Sequence, residues 1–453
     1  MKIPYGISNF KALREEKYLY VDKTKYIEII ENLNSKYVFF IRPRRFGKSL
    51  FLSTLEHYYD INAENEFAGL YENLYIGENP TKLKNSYLIL KLNFSGLNTS
   101  SKEGLENSFR LSLVEALKSF FSRYKHVISG SEDIVEEVKN TKDLRTLLTL
   151  LLNAVKEANK KVYLIIDEYD HFANDIIAMG EGDFYKNTIR ATGFVRDFYE
   201  TVKIGTETVI DRIFMTGISP VMLDDLTSGF NIASNITLDI GLNEMLGFTE
   251  EEVKFIVANC DVEKLIQNND TEINKKELMK ELKKNYNGYL FNKNAKNRIY
   301  NPDMILHFFD QWIKSNQYPE KLIDDNVKTD YGRLNRLMMN EENRTKLEEI
   351  IKNEGIVAKI ATRFSFDNMN DEDNLVSLLF YMGLLTNDSI EYGETKLAIP
   401  NYVTKEIFWE YFNRKLRKEY SIKHNTAELS KVIWQARKEA GIKWALQTEA
   451  KLL

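Results

Sequence analysis

Residues 39–51 read FFIRPRRFGKSLF, an apolar run that passes through Arg42-Pro43-Arg44-Arg45-Phe46 into Gly47-Lys48-Ser49. The last three end a phosphate-binding loop, G-x-x-x-x-G-K-[ST], with Arg42 standing where the first glycine belongs. Such a loop works because successive backbone N–H groups and a helix N-terminus converge on anionic oxygens. Gly47 would let the backbone approach the phosphates, Lys48 would reach the β- and γ-phosphates, and the Ser49 hydroxyl would hold Mg²⁺. Losing a glycine at 42 removes the freedom to take a positive φ at the strand exit, but none of the phosphate-binding groups. Gly-Lys-Ser alone is common, so the reading turns on what the rest of the chain supplies.

Outward from the loop, strands and helices alternate. YVFFI (37–41) is a continuous apolar run, as a buried parallel strand requires, and SLFLSTLEHYY (49–59) follows at near-helical spacing. YLILKLNFS (87–95) predicts a second strand, 103–124 and 131–159 two long helices, and KVYLIIDEYD (161–170) a strand ending in carboxylates. A helix over 184–203 leads to RIFMTGISP (212–220), a strand ending at Thr216-Gly217, and ITLDI (236–240) is a weaker one. Polar residues gathered at the C-terminal strand ends predict an α/β fold with a doubly wound parallel sheet, whose ligands bind at that edge.

The second element of the site is LIIDE. Asp167 sits at a strand end where a Walker B aspartate would hold Mg²⁺, and Glu168 could polarise an attacking water as general base. The alternative, two carboxylates capping a turn, needs two independent coincidences at strand-to-loop junctions. Nucleoside triphosphatases with a catalytic glutamate place a further strand between the Walker strands, whose polar end senses the γ-phosphate. Thr216 or Ser219 fits that role, with an ordinary turn before Pro220 as the alternative.

From about 246 the pattern turns helical, opening at Thr249 with a Thr-x-x-Glu capping-box spacing. KNYNGYLF (284–291) and RIYNPDMILHFF (298–309) read as a turn or hairpin before another helix. Past 330, NLVSLLFYMGLLT (374–386), a turn, KLAIPN (396–401) and a helix over 402–416 fit a winged-helix-like module. The expected divisions are 1–245, 246–330, 331–420 and a charged helical tail, 421–453. Of the 453 residues, 43% are hydrophobic and 28% charged, and the net charge of -5 gives no global reason to expect nucleic-acid binding. The single Cys260 excludes an intrachain disulfide or a Cys-cluster zinc site, and the five histidines show no metal-binding spacing. No apolar core of a signal peptide and no membrane-spanning stretch is seen, so the expectation is a cytoplasmic protein without a membrane partner.

Together, IPYGISNFKALREEKYLYVDKTKYI (3–27), FIRPRRFGKSLFLSTLEHYY, KLNFSGL, LIIDEYD, FMTGISP, YNGYLF, YNP and IPN occur in the order that resembles the bacterial AAA-ATPase-like family. The resemblance spans roughly residues 3–412 and implies a P-loop NTPase that takes ATP and Mg²⁺. In this family R-P-R-R-F-G-K-S itself serves as Walker A, which implies nucleotide contacts from Arg42, Pro43, Arg44, Arg45, Phe46, Gly47, Lys48, Ser49 and Leu50, with Arg42 a family feature. It also implies that the leading segment YLYVDKT (18–24) covers adenine and ribose, with Tyr18 or Tyr20 on the base and Asp22 and Lys23 near the nucleotide, the alternative being an edge strand or cap whose tyrosines cover the core. Two departures stand out: Asn93 where the family often has aspartate, and no D…E-x-K pattern of the restriction-endonuclease-like domain that family members often carry, so nuclease activity is not expected. Three functions follow as expectations: an ATPase acting on nucleic acid or a protein partner, a slow nucleotide-dependent switch, or a DNA-binding component of a mobile-element or defence system. The last rests on FWEYFNRKLRKEY (408–420), where aromatics interleave with Arg414, Lys415, Arg417 and Lys418.

Overall fold

Five parallel strands carry the N-terminal half of the chain: β1 (Tyr37–Ile41), β2 (Leu88–Asn93), β3 (Val162–Asp167), β4 (Ile210–Gly217) and β5 (Ser234–Asn235). The computed structural model describes residues 2–179, 182–189, 193–222, 230–260, 262, 265–266, 274–319, 321–324, 341–363, 372–391 and 394–410. The strands lie in the order β2-β3-β4-β1-β5. All six residues of β3 are buried, and in β1 only Tyr37 escapes burial. Helices on both faces leave no side of these strands for polar residues, which is why they read as unbroken apolar runs.

The feature that positions the site is β4. It arrives late in the chain yet inserts between β1 and β3, pairing parallel with both. Its register sets Gly217 beside Ile41 and Met215 beside Ile166, while β2 sets Asn93 beside Asp167. The C-terminal ends of β1, β4, β3 and β2 therefore form one edge, carrying the residues after 41, 217, 167 and 93.

Local chemistry moves three boundaries from those expected. The helix expected over 131–159 is two, Ser131–Asn140 and Leu144–Glu157, because Asp143 turns extended and accepts the Thr146 N–H as an N-cap. Likewise, helix is found at Gly182–Ile189 and at Phe194–Thr206 in place of one run over 184–203. No strand forms at 236–240; the pairing with β1 is confined to the two residues of β5 just before it. There, Asn235 Oδ1 accepts from the Thr237 N–H and Thr237 Oγ1 accepts from the Ile41 N–H, so side chains take over the ladder.

The helix Glu250–Asn259 begins with the expected capping box, Thr249 and Glu252 bonding reciprocally. Antiparallel bridges Tyr289–Ile299 and Phe248–Tyr300 form the expected turn ahead of helix Pro302–Ser315. A three-stranded antiparallel sheet, β6 (Gly355–Val357), β7 (Thr386–Glu391) and β8 (Glu394–Ala398), in the order β6-β8-β7, accompanies helices Glu341–Asn353 and Glu372–Tyr381. The chain divides into two compact units, Met1–Thr404 and Lys405–Leu453. The basic residues 414–418 and the tail 421–453 lie outside the described residues. Among those described, no helix is long and apolar enough to cross a membrane.

Candidate nucleotide-binding site

The loop after β1 answers the question posed by its missing glycine. Left-handed backbone occurs at Arg45 (φ 65°) and Gly47 (φ 91°), not at Arg42. The loop makes its turn three residues later than the glycine pattern suggests, so position 42 is open to a side chain. The Arg42 guanidinium is fully buried and points away from the loop mouth. It donates to the carbonyls of Ile41 (2.9 Å), Thr237 (2.9 Å) and Leu242 (3.0 Å), and lies 4.0 Å and 4.1 Å from the ring centres of Phe40 and Phe291. Its Nε has no hydrogen-bond partner. The expectation that Arg42 reaches a nucleotide is corrected on this point: its side chain ties β1 to the 237–242 turn, and only its carbonyl faces Lys48.

Gly47 leads into helix Lys48–Tyr59, whose first turn opens on a cavity of about 590 Å³. Lys48 is buried, and its Nζ donates to the carbonyls of Arg42 and Pro43, each at 3.0 Å. Two of its three N–H donors are thereby committed and one remains. Burial lowers the Lys48 pKa, opposed by the negative charges of Glu168, Asp167 and Asp170 and assisted by Arg44. Ser49 Oγ donates to Asp167 Oδ2 at 2.6 Å, and Thr216 Oγ1 donates to Asp167 Oδ1 at 2.7 Å. One carboxylate thus links the strand ends of β3 and β4 to the loop helix.

Thr216 itself is 1% exposed and does not reach the cavity, so direct sensing of a phosphate gives way to an indirect position behind Asp167. Ser219 is also turned inward, its hydroxyl bonding to Asp170 Oδ2 and Asn174 Oδ1, both at 2.9 Å. Asp170, which the sequence reading left without a role, accepts in addition from the N–H groups of Ile218 and Ser219 and from Asn174. It clamps the turn after β4. At Gly217 a Cβ would stand 2.4 Å from Asp170 Oδ1 and 2.5 Å from the Tyr169 ring, so only glycine fits.

The cavity wall gathers Arg44, Arg45, Phe46, Gly47, Lys48, Ser49 and Leu50 with Glu168 and the unanticipated His171. Glu168 has φ 52°, a left-handed turn that swings its side chain off the strand direction. Arg45 Nη1 lies 3.3 Å from Asp303 and 3.5 Å from Asp324. Phe46 packs edge-on against Tyr289 (5.1 Å) and Phe291 (5.6 Å). The leading segment does cover the cavity, through Pro4, Gly6, Leu19, Tyr20, Val21 and Lys23, opposite Leu246-Gly247-Phe248.

Within that segment the expected residues part company. Tyr20 lines the cavity and Tyr18 does not. Lys23 lines it too, with Nζ donating to the Glu244 carbonyl (3.0 Å) and Glu252 (2.7 Å), and burial lowering its pKa against the pull of Glu252. Asp22 is corrected: its carboxylate accepts from Thr24 N–H and Oγ1 and from the Tyr75 N–H, a turn cap aimed away from the cavity. An Asx cap followed by Thr was the available signal for this.

The model of the predicted AAA-ATPase family matches residues 4–227, from the leading segment through β4. Residues 4–227 belong to that family. An uncharacterized protein in the vnfD 5' region of Azotobacter chroococcum mcd 1 is 26% identical over 260 residues, 57% of this chain and 45% of that protein. The chain therefore spans less than half of that relative's length. Among solved structures, similarity is found to the Walker-type ATPase paby2304 of Pyrococcus abyssi (TM-score 0.47, 13% identity, 85% of this chain and 94% of that one). It is also found to Cdc6p of Pyrobaculum aerophilum (TM-score 0.26, 12% identity, 89% and 95%). The P-loop NTPase fold stands on the strand order and the loop geometry together with the family match.

Proposed function

We propose that this AAA-ATPase-like chain binds ATP with Mg²⁺ in the cavity at the strand ends and hydrolyses it. The observation that carries the reading is the row Ser49–Asp167–Thr216 at the head of the loop helix, of which Ser49 lines the cavity with Asp167 and Thr216 behind it, and Glu168 on the cavity wall. Ser49 Oγ and Asp167 Oδ2, hydrogen-bonded at 2.6 Å, are a hydroxyl and a carboxylate oxygen that would hold Mg²⁺, and Thr216 keeps the second carboxylate oxygen engaged. The residues fit the ion. When bound, Mg²⁺ would neutralise charge on the β- and γ-phosphate oxygens, its remaining ligands being phosphate and water.

In this reading the Gly47–Leu50 backbone N–H groups and the third N–H of Lys48 bind the phosphates. Glu168 accepts the proton of a water that attacks the γ-phosphorus as the bond to the β-γ bridging oxygen breaks, releasing ADP. The base and ribose occupy the end bounded by Tyr20, Lys23 and Leu246-Gly247-Phe248. Isothermal titration with ATP-Mg²⁺, then phosphate release with and without Glu168→Gln, tests this. Absence of binding sinks the site, and turnover unchanged in Glu168→Gln sinks the base.

A slower, switch-like use is favoured by one further contact. Pro43 lies against Gly383, where a Cβ would come within 2.8 Å of its ring, and Phe46 against Tyr289 and Phe291. A loop that shifts on binding phosphate would press on these residues and so reach a partner, either DNA or a protein. Phosphate release no faster with DNA or partner than without, at a rate equal to that of Glu168→Gln, would leave the switch and reject the motor.

A further inference from the structure

His171 stands on the cavity wall next to Glu168, and the ATPase reading above assigns it nothing. It opens the helix His171–Met179, and its N–H donates to the Glu168 carbonyl at 3.1 Å, closing the turn that sends Glu168 to φ 52°. Leaving the strand through this left-handed turn, the glutamate side chain is not oriented by the sheet. What stands beside it is the imidazole: Nε2 is 3.7 Å from Glu168 Oε2, and Nδ1 is 3.3 Å from Asp175 Oδ2, one helical turn on. All three side chains are about one-fifth exposed, the ring at 19% and both carboxylates at 23%, so the row is partly shielded from water yet open to the cavity. A carboxylate–imidazole–carboxylate row therefore runs from the sheet edge onto the helix. Nδ1 lies near Asp175 without a hydrogen bond to it, and Nε2 is the nitrogen nearest the glutamate.

We propose that His171 is a positioning residue for Glu168: held at the start of its helix beside the glutamate, the imidazole confines the carboxylate to the orientation in which it can take a proton from water. The inference rests on Glu168 being the general base. His171 works through Glu168 and contributes nothing to holding phosphates, so its loss falls on turnover and spares affinity. A misplacement of about 1 Å in a reacting group costs up to about a hundredfold in rate.

The test measures kcat and ATP-Mg²⁺ affinity for His171→Ala, His171→Gln and Glu168→Gln, and for His171→Ala combined with Glu168→Gln. His171→Ala should lower kcat about tenfold or more, with the dissociation constant changed by less than about twofold. His171→Gln, whose amide can still bond to the carboxylate, should recover part of the loss. In the Glu168→Gln background the alanine should lower the residual rate no further, because the group it positions is gone. If alanine unfolds the chain, His171→Phe keeps the ring volume without donor or acceptor and carries the same expectation. Unchanged kcat in the folded variants, an equal fold-loss in both backgrounds, or a matching loss of affinity overturns the inference. Wild-type turnover in Glu168→Gln overturns the base assignment and this inference with it; lost turnover there, with full turnover in His171→Ala, overturns this inference alone.

Discussion

Arg42 replaces the first glycine of the loop pattern, and its surroundings show that restoring the glycine would do harm. Arg42→Gly leaves the carbonyls of Ile41 and Thr237 without the guanidinium, leaves that of Leu242 with the Met245 N–H alone, and empties the space between Phe40 and Phe291. Unsatisfied buried acceptors cost about 1–3 kcal/mol each, so a loss of about 2 kcal/mol or more is expected in urea unfolding. A variant as stable as the parent would show that the guanidinium holds nothing together. Lys48→Ala, by contrast, should abolish ATP-Mg²⁺ binding in calorimetry, since the lysine is the cation that faces the cavity from the loop helix. Asp167 and Glu168 are neighbours with separate environments, Asp167 bonded to two hydroxyls and Glu168 beside His171. Asp167→Asn should weaken Mg²⁺-dependent binding, while Glu168→Gln should bind ATP normally and lose about a hundredfold or more in turnover. Equal loss of binding in both would contradict that division.

At the scale of elements, the leading segment is the one whose role the structure sharpens. Removing it whole would be uninformative, because Phe10, Leu13 and Leu19 are at most 3% exposed and part of the core. Tyr20 is the residue to change: its ring meets Phe10 edge-on at 5.4 Å and also lines the cavity. Tyr20→Leu keeps apolar volume and removes the flat face, so ATP affinity should fall more than affinity for inorganic triphosphate, which has no base to stack. The same fall for both ligands would reduce the tyrosine to packing. Elements were legible where periodicity and burial agree, as in β1 and in β3 up to Asp167, which are apolar because both faces are covered. They were misjudged where one side chain competes with the backbone. Asp143 cut a long helix in two, and Thr237 and Asn235 put side-chain bonds where the strand at 236–240 was expected.

Across the whole molecule, the phosphate loop is packed against residues far along the chain. Gly383 has φ 77° and lies against Pro43, whose carbonyl is one of the two Lys48 acceptors. Gly383→Ala puts a methyl about 2.8 Å from Pro43 Cγ and strains its own backbone. It should therefore weaken ATP-Mg²⁺ binding although residue 383 is absent from the cavity wall. Unaltered affinity in a variant that melts like the parent would show that the loop is insulated from this contact.

What the sequence determined by itself is what short range can encode: the apolar strands, the Gly47-Lys48-Ser49 turn into a helix, and carboxylates at the end of β3. Backbone geometry and local hydrogen bonds set these within a few residues, and a pattern of neighbours suffices to find them. Only the tertiary structure decided which of the suspected residues meet. Arg42 and Asp22 sit inside the right motifs, yet the carbonyls of Thr237 and Leu242 and the N–H of Tyr75 draw them away from the cavity. Thr216 is placed behind Asp167 because β4 inserts between β1 and β3, and His171 reaches Glu168 because Glu168 turns left-handed. The direction a side chain takes is set by partners distant in sequence, and those partners come into reach only when the sheet closes.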